Sequence, residues 1–307
     1  MAEPDGLLEV HALDWVAQCL GVSSRRIGLE PIAAASSSNV YTVSHRDDGA
    51  QEWVLRLFTN REWLAAEPDV AVHEGAALQE AARAGIVVPD LIALDETGAS
   101  CGVPAVLMTR LPGRVWLQPD DLDGWIDQLA AAIRPLHKLD GRDFPWQRRP
   151  NYDVDALSAP DWTGVPQLWG RAFAHLRENA PATTVQAFIH RDYHPTNVLW
   201  QGDTISGIVD WVYACYGPIG IDIAHCRTNL SGLYGVQAAD RFLSSYSAEA
   251  DGAWRYDPYW DLSDLCDMLP CFPAPPEAWR IYGVRSLNET ILRHRLDAYL
   301  DSVMDRL

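Results

Sequence analysis

The amino-acid sequence predicts an α+β protein with two lobes, a small antiparallel β-rich lobe followed by a larger, mainly helical lobe. The chain has 307 residues, which exceeds the usual size of a single hydrophobic core. Short runs with strand character predominate before Leu111-Pro112-Gly113, whereas helical spacing of apolar residues predominates after it. This break therefore divides the chain into predicted lobes of residues 1–111 and 112–307.

The first lobe is predicted to begin with a helix and to continue as a sheet. Apolar residues recur every three or four positions over residues 8–20, which indicates an amphipathic helix, and a second such pattern covers residues 68–84. Runs rich in β-branched and aromatic residues indicate strands, and the short turns between the first three favour antiparallel pairing. The predicted strands cover residues 27–34, 39–45, 52–58, 91–94 and 104–109.

The second lobe is predicted to be mainly helical. Amphipathic patterns indicate helices over residues 122–139, 167–179 and 284–307. Short runs with strand character interrupt the helical part, and the polar residues that follow them are the candidates for chemistry. These runs cover residues 186–189, 198–200 and 205–209.

Composition and charge restrict the possible partners. Hydrophobic residues make up 48% of the chain and charged residues 21%, as in ordinary soluble globular proteins. The formal net charge is −18, which argues against nucleic acid or an anionic membrane and is compatible with a cationic small molecule. The six cysteines form no C-x-x-C pair, and we expect neither a signal peptide nor a membrane span. The expected protein is reduced and cytoplasmic, as a monomer or a homodimer.

Three short oxygen-bearing side chains stand at the ends of runs with strand character. Asp192 and Asn197 are five residues apart in a loop that contains a proline, and Asp210 ends the next apolar run. Mg²⁺ prefers hard oxygen ligands and is commonly shared with phosphates. We therefore predict that Asn197 and Asp210 hold Mg²⁺, while Asp192 orients a hydroxyl group and accepts its proton.

Two motifs around these residues carry a family resemblance. The first is H-x-D-x-x-x-x-N at residues 190–197, followed by an apolar run and Asp210-Trp211, and the second is G-P-x-x-x-D-x-A at residues 217–224. Together they resemble the aminoglycoside phosphotransferase family, a small-molecule branch of the protein-kinase-like fold. The resemblance implies a bilobal kinase-like fold and Mg²⁺-dependent transfer of the γ-phosphate of ATP or GTP to a hydroxyl of a small molecule.

The resemblance also assigns roles in the first lobe. Arg56 stands where a kinase places its phosphate-binding lysine, and the single lysine of the chain, Lys138, lies in the other lobe. Arginine binds phosphate as a planar fork rather than as a point charge. Glu74 resembles the helix glutamate that pairs with this cation.

Further nucleotide contacts follow from the same resemblance. Ser37 and Ser38 stand where a glycine-rich loop would cover the phosphates, although this stretch contains no glycine. Small side chains still let backbone N–H groups approach an anion. Met108 and Leu111 bound the expected hinge that meets the nucleotide base.

Within the two motifs, three residues are expected to act on the loop rather than on a substrate. His190 is expected to fix the loop and Asp222 to order it. Arg191 is assigned a structural role, because the interval from Asp210 to Pro218 is too short for a regulated activation loop.

The acceptor is less constrained by the sequence. The resemblance implies an antibiotic, an aminoglycoside or a macrolide, while a metabolic acceptor such as choline, homoserine or a sugar stays open. Acidic and aromatic residues crowd the region after Gly235, and together they suit a cationic amine. Trp260, Asp261 and Asp264 are the predicted acceptor contacts, against the alternative of an acidic helix surface with its aromatic residues in the core.

Two functions of other classes remain. One is a nucleotide-binding pseudokinase, against which the presence of Asp192, Asn197 and Asp210 argues. The other is a metal hydrolase built on His190, Asp192 and His194, which predicts bound zinc. No further pair of histidines or cysteines supplies the remaining ligands of such a site in the sequence.

Overall fold

The structure is a computed structural model that divides into two compact units. The first unit comprises Met1–Pro112 and Ile208–Tyr213, and the second comprises Gly113–Gly207 and Ala214–Leu307. The short segment Ile208–Tyr213 thus belongs with residues far from it in sequence. The structure describes residues 5–32, 38–46, 52–249 and 254–307.

The first unit consists of an antiparallel sheet with helices. The elements are α1 (Asp5–Leu20), β1 (Ile27–Pro31), β2 (Asn39–His45), β3 (Glu52–Leu57), α2 (Arg61–Ala66), α3 (Val70–Arg83), β4 (Leu91–Asp95) and β5 (Ala105–Thr109). The strands follow the order β1-β2-β3-β5-β4, and every neighbouring pair is antiparallel. The end of the first predicted strand, Ala34, lies outside the described residues.

The two faces of β3 have different partners, and this places Arg56. Leu55 and Leu57 are fully buried in one cluster with Trp15 and Val16 of α1. Because successive side chains of a strand point to opposite faces, Arg56 points away from α1. It faces α3 instead, as its ion pair with Glu74 shows.

The helix α2 was not predicted from the sequence. It has six residues, too few for a helical period to be recognised. The sequence signal for this helix was Asn60, a residue type that commonly caps helix N-termini. In the structure its side chain accepts hydrogen bonds from the backbone N–H groups of Glu62 and Trp63.

The second unit is mainly helical, with short strand pairs. The elements are α4 (Leu122–Ile133), α5 (Pro166–Glu178), β6 (Gln186–Ile189), β7 (Val198–Gln201), β8 (Thr204–Ile208), β9 (Cys215–Pro218), α6 (Gly220–Tyr234), α7 (Val236–Ala248), α8 (Tyr259–Met268), α9 (Glu277–Ile281) and α10 (Glu289–Met304). Strand β6 pairs with β9 and strand β7 with β8, and the last residue of β8 is grouped with the first unit. The antiparallel sheet and the many helices confirm the predicted α+β class.

Two boundaries differ from the predictions for physical reasons. The helical pattern over residues 122–139 is interrupted, because Pro135 lacks the backbone N–H that would continue the helical hydrogen bonds, so α4 ends at Ile133 and a short 3₁₀ turn follows. The final helix begins only at Glu289, where the side chain of Asn288 accepts a hydrogen bond from the N–H of Ile291.

Helix α6 is the interior helix of the second unit. All of its residues from Gly220 to Leu233 are buried, so no side of the helix faces solvent. Its polar residues therefore need partners inside the protein. None of the helices in the described part of the chain has the length and apolar character needed to cross a membrane.

The strand that leads into the candidate site, β6, depends on a close backbone approach. The N–H of Phe188 donates to the carbonyl of Leu139 at 3.1 Å, and a Cβ placed on Gly141 would lie 2.8 Å from Phe188 Cα. Gly141→Ala is therefore expected to lower the free energy of unfolding by about 1–3 kcal/mol, because the backbone must shift. Urea denaturation measures the change.

The matched control is Gly170→Ala in α5, where the added methyl group would meet nothing within 4 Å. This change should raise the free energy of unfolding by about 0.5–1 kcal/mol, because alanine favours a helix. Equal stability of Gly141→Ala and the unmodified protein would contradict the packing argument.

Candidate active site

The loop after β6 is ordered by one buried carboxylate from α6. Asp222 accepts hydrogen bonds from the backbone N–H groups of His190, at 2.9 Å, and Arg191, at 2.6 Å. Its Oδ2 also lies 3.0 Å from Nε2 of His137, and the residue has no solvent exposure. The predicted role of Asp222 as an ordering residue for this loop is confirmed.

Arg191 is held in an unusual conformation by these bonds. Its φ of 67° lies in the left-handed region, which is unfavourable for residues other than glycine. Its guanidinium reaches back to another loop, donating to the carbonyl of Arg149 and to Oδ1 of Asn151. These contacts agree with the structural role predicted for Arg191.

Asp192 and Asn197 are brought together inside this loop. Nδ2 of Asn197 donates to the backbone carbonyl of Asp192 at 2.9 Å and to its Oδ2 at 3.0 Å. The N–H of Asp192 donates to Nδ1 of His190 at 3.3 Å, so His190 also fixes the loop. Both of these hydrogen bonds use Nδ2 of Asn197. Its Oδ1 therefore faces away from Asp192 and is available as an oxygen ligand.

The second oxygen of Asp192 faces two imidazole rings. Oδ1 of Asp192 lies 3.1 Å from Nε2 of His225 and 3.6 Å from Nε2 of His194. On the other side of its ring, Nδ1 of His225 lies 2.8 Å from Oδ1 of Asp264 on α8. The structure thus places Asp264 behind Asp192, two contacts away from it.

These contacts shift the pKa values of Asp192 and His225 in opposite directions. Burial opposes the charge on Asp192, but His194 and His225 outweigh burial and hold its pKa well below the usual range. Burial likewise opposes charge on His225, but Asp264 and Asp192 raise its pKa well above the usual value. Asp192 is therefore an ionised carboxylate at neutral pH.

His225 was not recognised as a site residue in the sequence. The available signal was its position three residues after Asp222, directly after the last residue of the second motif. Helical spacing puts both residues near one face of α6, toward the loop that Asp222 orders.

A second constellation lies in the first unit, around Arg56. Nη1 of Arg56 is 2.8 Å from Glu74 and 2.9 Å from Asp210, so one guanidinium bridges two carboxylates. The predicted pairing of Arg56 with Glu74 is confirmed. Burial raises the pKa of Glu74 to about 7 in spite of the neighbouring arginine. Asp210 has a φ of 68°, and 31% of its side chain is exposed.

The other predicted nucleotide contacts that the structure describes lie at the start of β2 and at or just after β5. Ser37 lies outside the described residues, and Ser38 is buried immediately before β2. Met108 is buried in β5, opposite Val54 of β3, and Leu111 follows β5 half-buried. Their contact with a nucleotide stays a prediction.

The predicted acceptor residues all lie on α8 but have different surroundings. Asp261 is only 1% exposed, and its Oδ1 accepts hydrogen bonds from Arg227, Tyr256 and Tyr299 at 2.7–2.9 Å. It neutralises a buried arginine and faces the interior rather than an acceptor surface. Trp260 lines two cavities of the second unit, of about 330 and 590 Å³.

The sequence matches the model of the phosphotransferase enzyme family (APH) over residues 28–259. The chain belongs to this family. The match includes Arg56 with its two carboxylate partners and the Asp192 loop. The metal-hydrolase alternative has no support from the family.

Curated relatives that match in sequence include homoserine kinases. The homoserine kinase of Afipia carboxidovorans is 28% identical over 187 residues, which cover 54% of this chain and 55% of the relative. The chain thus spans about half the length of the curated relatives it matches.

Solved structures of phosphotransferases share the fold. An aminoglycoside-3'-phosphotransferase of type VIII superposes with a TM-score of 0.59 and 23% identity over 84% of this chain and all of that chain. A thermostable mutant of the aminoglycoside phosphotransferase APH(4)-Ia, in complex with ADP and hygromycin B, gives a TM-score of 0.57 and 14% identity over 94% and 97% of the two chains. The predicted protein-kinase-like fold is confirmed by these structures.

The dependence of the Asp192 loop on Asp222 can be tested. Asp222→Asn is expected to lower the free energy of unfolding by about 3 kcal/mol. Both carboxylate oxygens now accept hydrogen bonds, and the NH₂ group of asparagine would place N–H against N–H at one of these positions. Urea denaturation of this variant and of Asp143→Asn, an exposed control in the same unit, measures the effect. A midpoint for Asp222→Asn equal to that of the control would refute the ordering role.

Proposed function

We propose that the chain transfers the γ-phosphate of ATP or GTP to a hydroxyl of a small molecule, with Asp192 as the general base. One observation carries the proposal: Asn197 fixes Oδ2 and the backbone of Asp192, in the loop that bears the H-x-D-x-x-x-x-N motif. A carboxylate held in this way can orient an acceptor hydroxyl without reorganisation during the reaction. The family to which the chain belongs supports phosphoryl transfer as the reaction.

The proposed reaction is a direct displacement at the γ-phosphorus. The acceptor oxygen forms a bond to the γ-phosphorus while the bond from that phosphorus to the β–γ bridging oxygen breaks, and the nucleoside diphosphate leaves with the bonding electrons. Asp192 receives the proton of the hydroxyl. A low pKa suits this role in phosphoryl transfer, where the base mainly orients the nucleophile and the proton moves late.

Asn197 and Asp210 are the residues proposed to hold Mg²⁺. Both supply hard oxygen atoms, and in each side chain one oxygen remains beyond the contacts described above. When bound, the ion would neutralise negative charge on the phosphates. Arg56 is the proposed cation for the phosphates, with Glu74 fixing its guanidinium.

The remaining nucleotide contacts are proposed from the resemblance. Ser37 and Ser38 would approach the phosphates, and Met108 and Leu111 would border the base. The proposed location is the cytoplasm, where ATP and GTP are available.

For the acceptor, we propose a small hydroxylated amine, with homoserine as the first compound to test. Curated relatives that match in sequence include homoserine kinases, whereas the solved antibiotic kinases named above match below 25% identity and support the fold alone. The net charge of −18 favours an amine over an anionic acceptor. Aminoglycosides and macrolides are the second group, and Trp260 is the described aromatic side chain proposed to contact the acceptor.

The base assignment predicts a specific kinetic defect. Asp192→Asn should lower kcat by about 10²–10⁴-fold while nucleotide binding is retained, because the amide cannot accept the proton. Release of ADP or GDP is measured with homoserine, choline, aminoglycosides and macrolides in turn, and nucleotide binding is measured separately by calorimetry. Activity of Asp192→Asn within about tenfold of the unmodified protein would show that another group is the base.

The phosphate assignment predicts a different defect. Arg56→Ala should raise the KM for the nucleotide by about tenfold or more, and Arg56→Lys should recover part of the loss, because lysine restores the charge but not the bidentate fork. Arg83→Ala, at the exposed end of α3, is the matched control. An unchanged nucleotide KM in Arg56→Ala would remove Arg56 from the site.

A further inference from the structure

Three side chains at the end of the Asp192 loop have the chemistry and spacing of a zinc site. Asp192, His194 and His225 each offer one ligand atom, and these atoms all lie within 4.8 Å of one another. Zinc bonds of about 2.0–2.1 Å in a tetrahedron place neighbouring ligand atoms roughly 3.3–3.4 Å apart. The separations from Asp192 Oδ1, 3.1 Å to His225 and 3.6 Å to His194, lie on either side of that value.

Both imidazole rings are fixed by contacts on their other nitrogen. Nδ1 of His225 lies 2.8 Å from the buried carboxylate of Asp264, and Nδ1 of His194 lies 2.9 Å from Oγ1 of Thr196. Each ring therefore directs Nε2 toward Asp192. A carboxylate behind a ligating histidine is a frequent feature of zinc sites, where it orients the ring and increases its basicity.

We propose that Asp192, His194 and His225 bind Zn²⁺, with Asp264 holding His225 in place and the fourth position open to water. The cluster and its supporting residue contain two carboxylates, and one divalent cation bound between the ligand atoms would offset their negative charge. Zn²⁺ would replace the proton on Nε2 of His225, and that proton would be released to solvent. The site is open to solvent, since 29% of the Asp192 side chain and 17% of the His194 side chain are exposed.

This site differs in chemistry from the proposed Mg²⁺ site. Two imidazole nitrogens and one carboxylate suit zinc, whereas Mg²⁺ prefers an all-oxygen set such as Asn197 and Asp210. It also differs from the cluster considered in the sequence, because Nδ1 of His190 accepts the N–H of Asp192 within the loop and His225 takes its place.

Occupancy by zinc has a consequence for catalysis, which rests on the proposed function. A metal on Oδ1 of Asp192 removes that oxygen from an acceptor hydroxyl while Oδ2 stays with Asn197. Zn²⁺ is therefore expected to inhibit phosphoryl transfer without competing for the nucleotide.

The test uses the full chain and the metal alone, without nucleotide or acceptor. Protein stripped of metal is titrated with Zn²⁺ against a chromophoric chelator, and Co²⁺ is used as a spectroscopic substitute whose absorption reports a four-coordinate site. Both experiments use a Cys19→Ser, Cys271→Ser background, because these are the cysteines described as exposed. One strongly bound ion per chain is expected.

Variants assign the ion to the cluster. His225→Gln and His194→Gln should abolish the strong binding, and Asp264→Asn should weaken it by about 10–100-fold. His294→Gln on α10, an exposed histidine outside the cluster, should bind as the unmodified protein does. Because His194 is partly exposed on a loop, His194→Gln tests the site even where a change at buried His225 disturbs folding.

The outcomes separate this proposal from the proposed function. Absence of strong Zn²⁺ binding, or its survival in His194→Gln, would refute the zinc site, whatever the kinase activity. A chain that binds Zn²⁺ through the cluster but phosphorylates no acceptor would leave the site intact and refute the proposed reaction. An increase in thermal stability with Zn²⁺ in His294→Gln, but not in His194→Gln, would support the site.

Discussion

The loop that carries Asp192 depends on one buried side chain, the carboxylate of Asp222. A fully buried carboxylate is costly unless it is paired, and here two backbone N–H groups and one imidazole satisfy it. The same bonds fix the backbone immediately before Asp192. The direction in which Asp192 presents its oxygens is therefore decided by a residue 30 positions further along the chain, which contacts no substrate in the proposed reaction.

Helix α6 carries this carboxylate as part of a series of buried polar contacts. Asp222 meets His137, His225 meets Asp264, and Arg227 meets Asp261, each inside the protein. Removing one partner would leave the other buried without compensation, so each pair constrains how α6 is rotated and how far it is shifted along its axis. The helix thus links the loop on one side to α8 on the other through charge as well as through packing.

Much of the fold could be predicted because its signals are local. The bounds of β2 and β6 agree with the patterns of apolar residues, and the spacing of Asp192 to Asn197 predicted a shared loop. Strand β9 was missed, because Cys215–Pro218 contains a glycine and a proline and has only four residues. It becomes a strand through pairing with β6, which no local pattern reveals.

The contacts between distant residues were the least predictable part of the site. Acidic and aromatic residues after Gly235 predicted a surface for a cationic ligand, but the same composition also serves a buried network, as Asp261 shows with Arg227 and two tyrosines. His225 could not be paired with Asp192 from the sequence, because the contact depends on how α6 packs against the loop. The sequence shows which charged residues are present, but their burial and their partners depend on the tertiary structure.

The left-handed backbone of Arg191 shows how the loop divides its tasks. Glycine would adopt this φ without strain, so a sequence selected only for ease of folding would place glycine there. Arginine instead adds a tether to Arg149 and Asn151, which glycine could not provide. Arg191 thus combines an unfavourable φ with hydrogen bonds to a second segment. Replacing it with glycine would relieve the unfavourable φ but would also remove these hydrogen bonds.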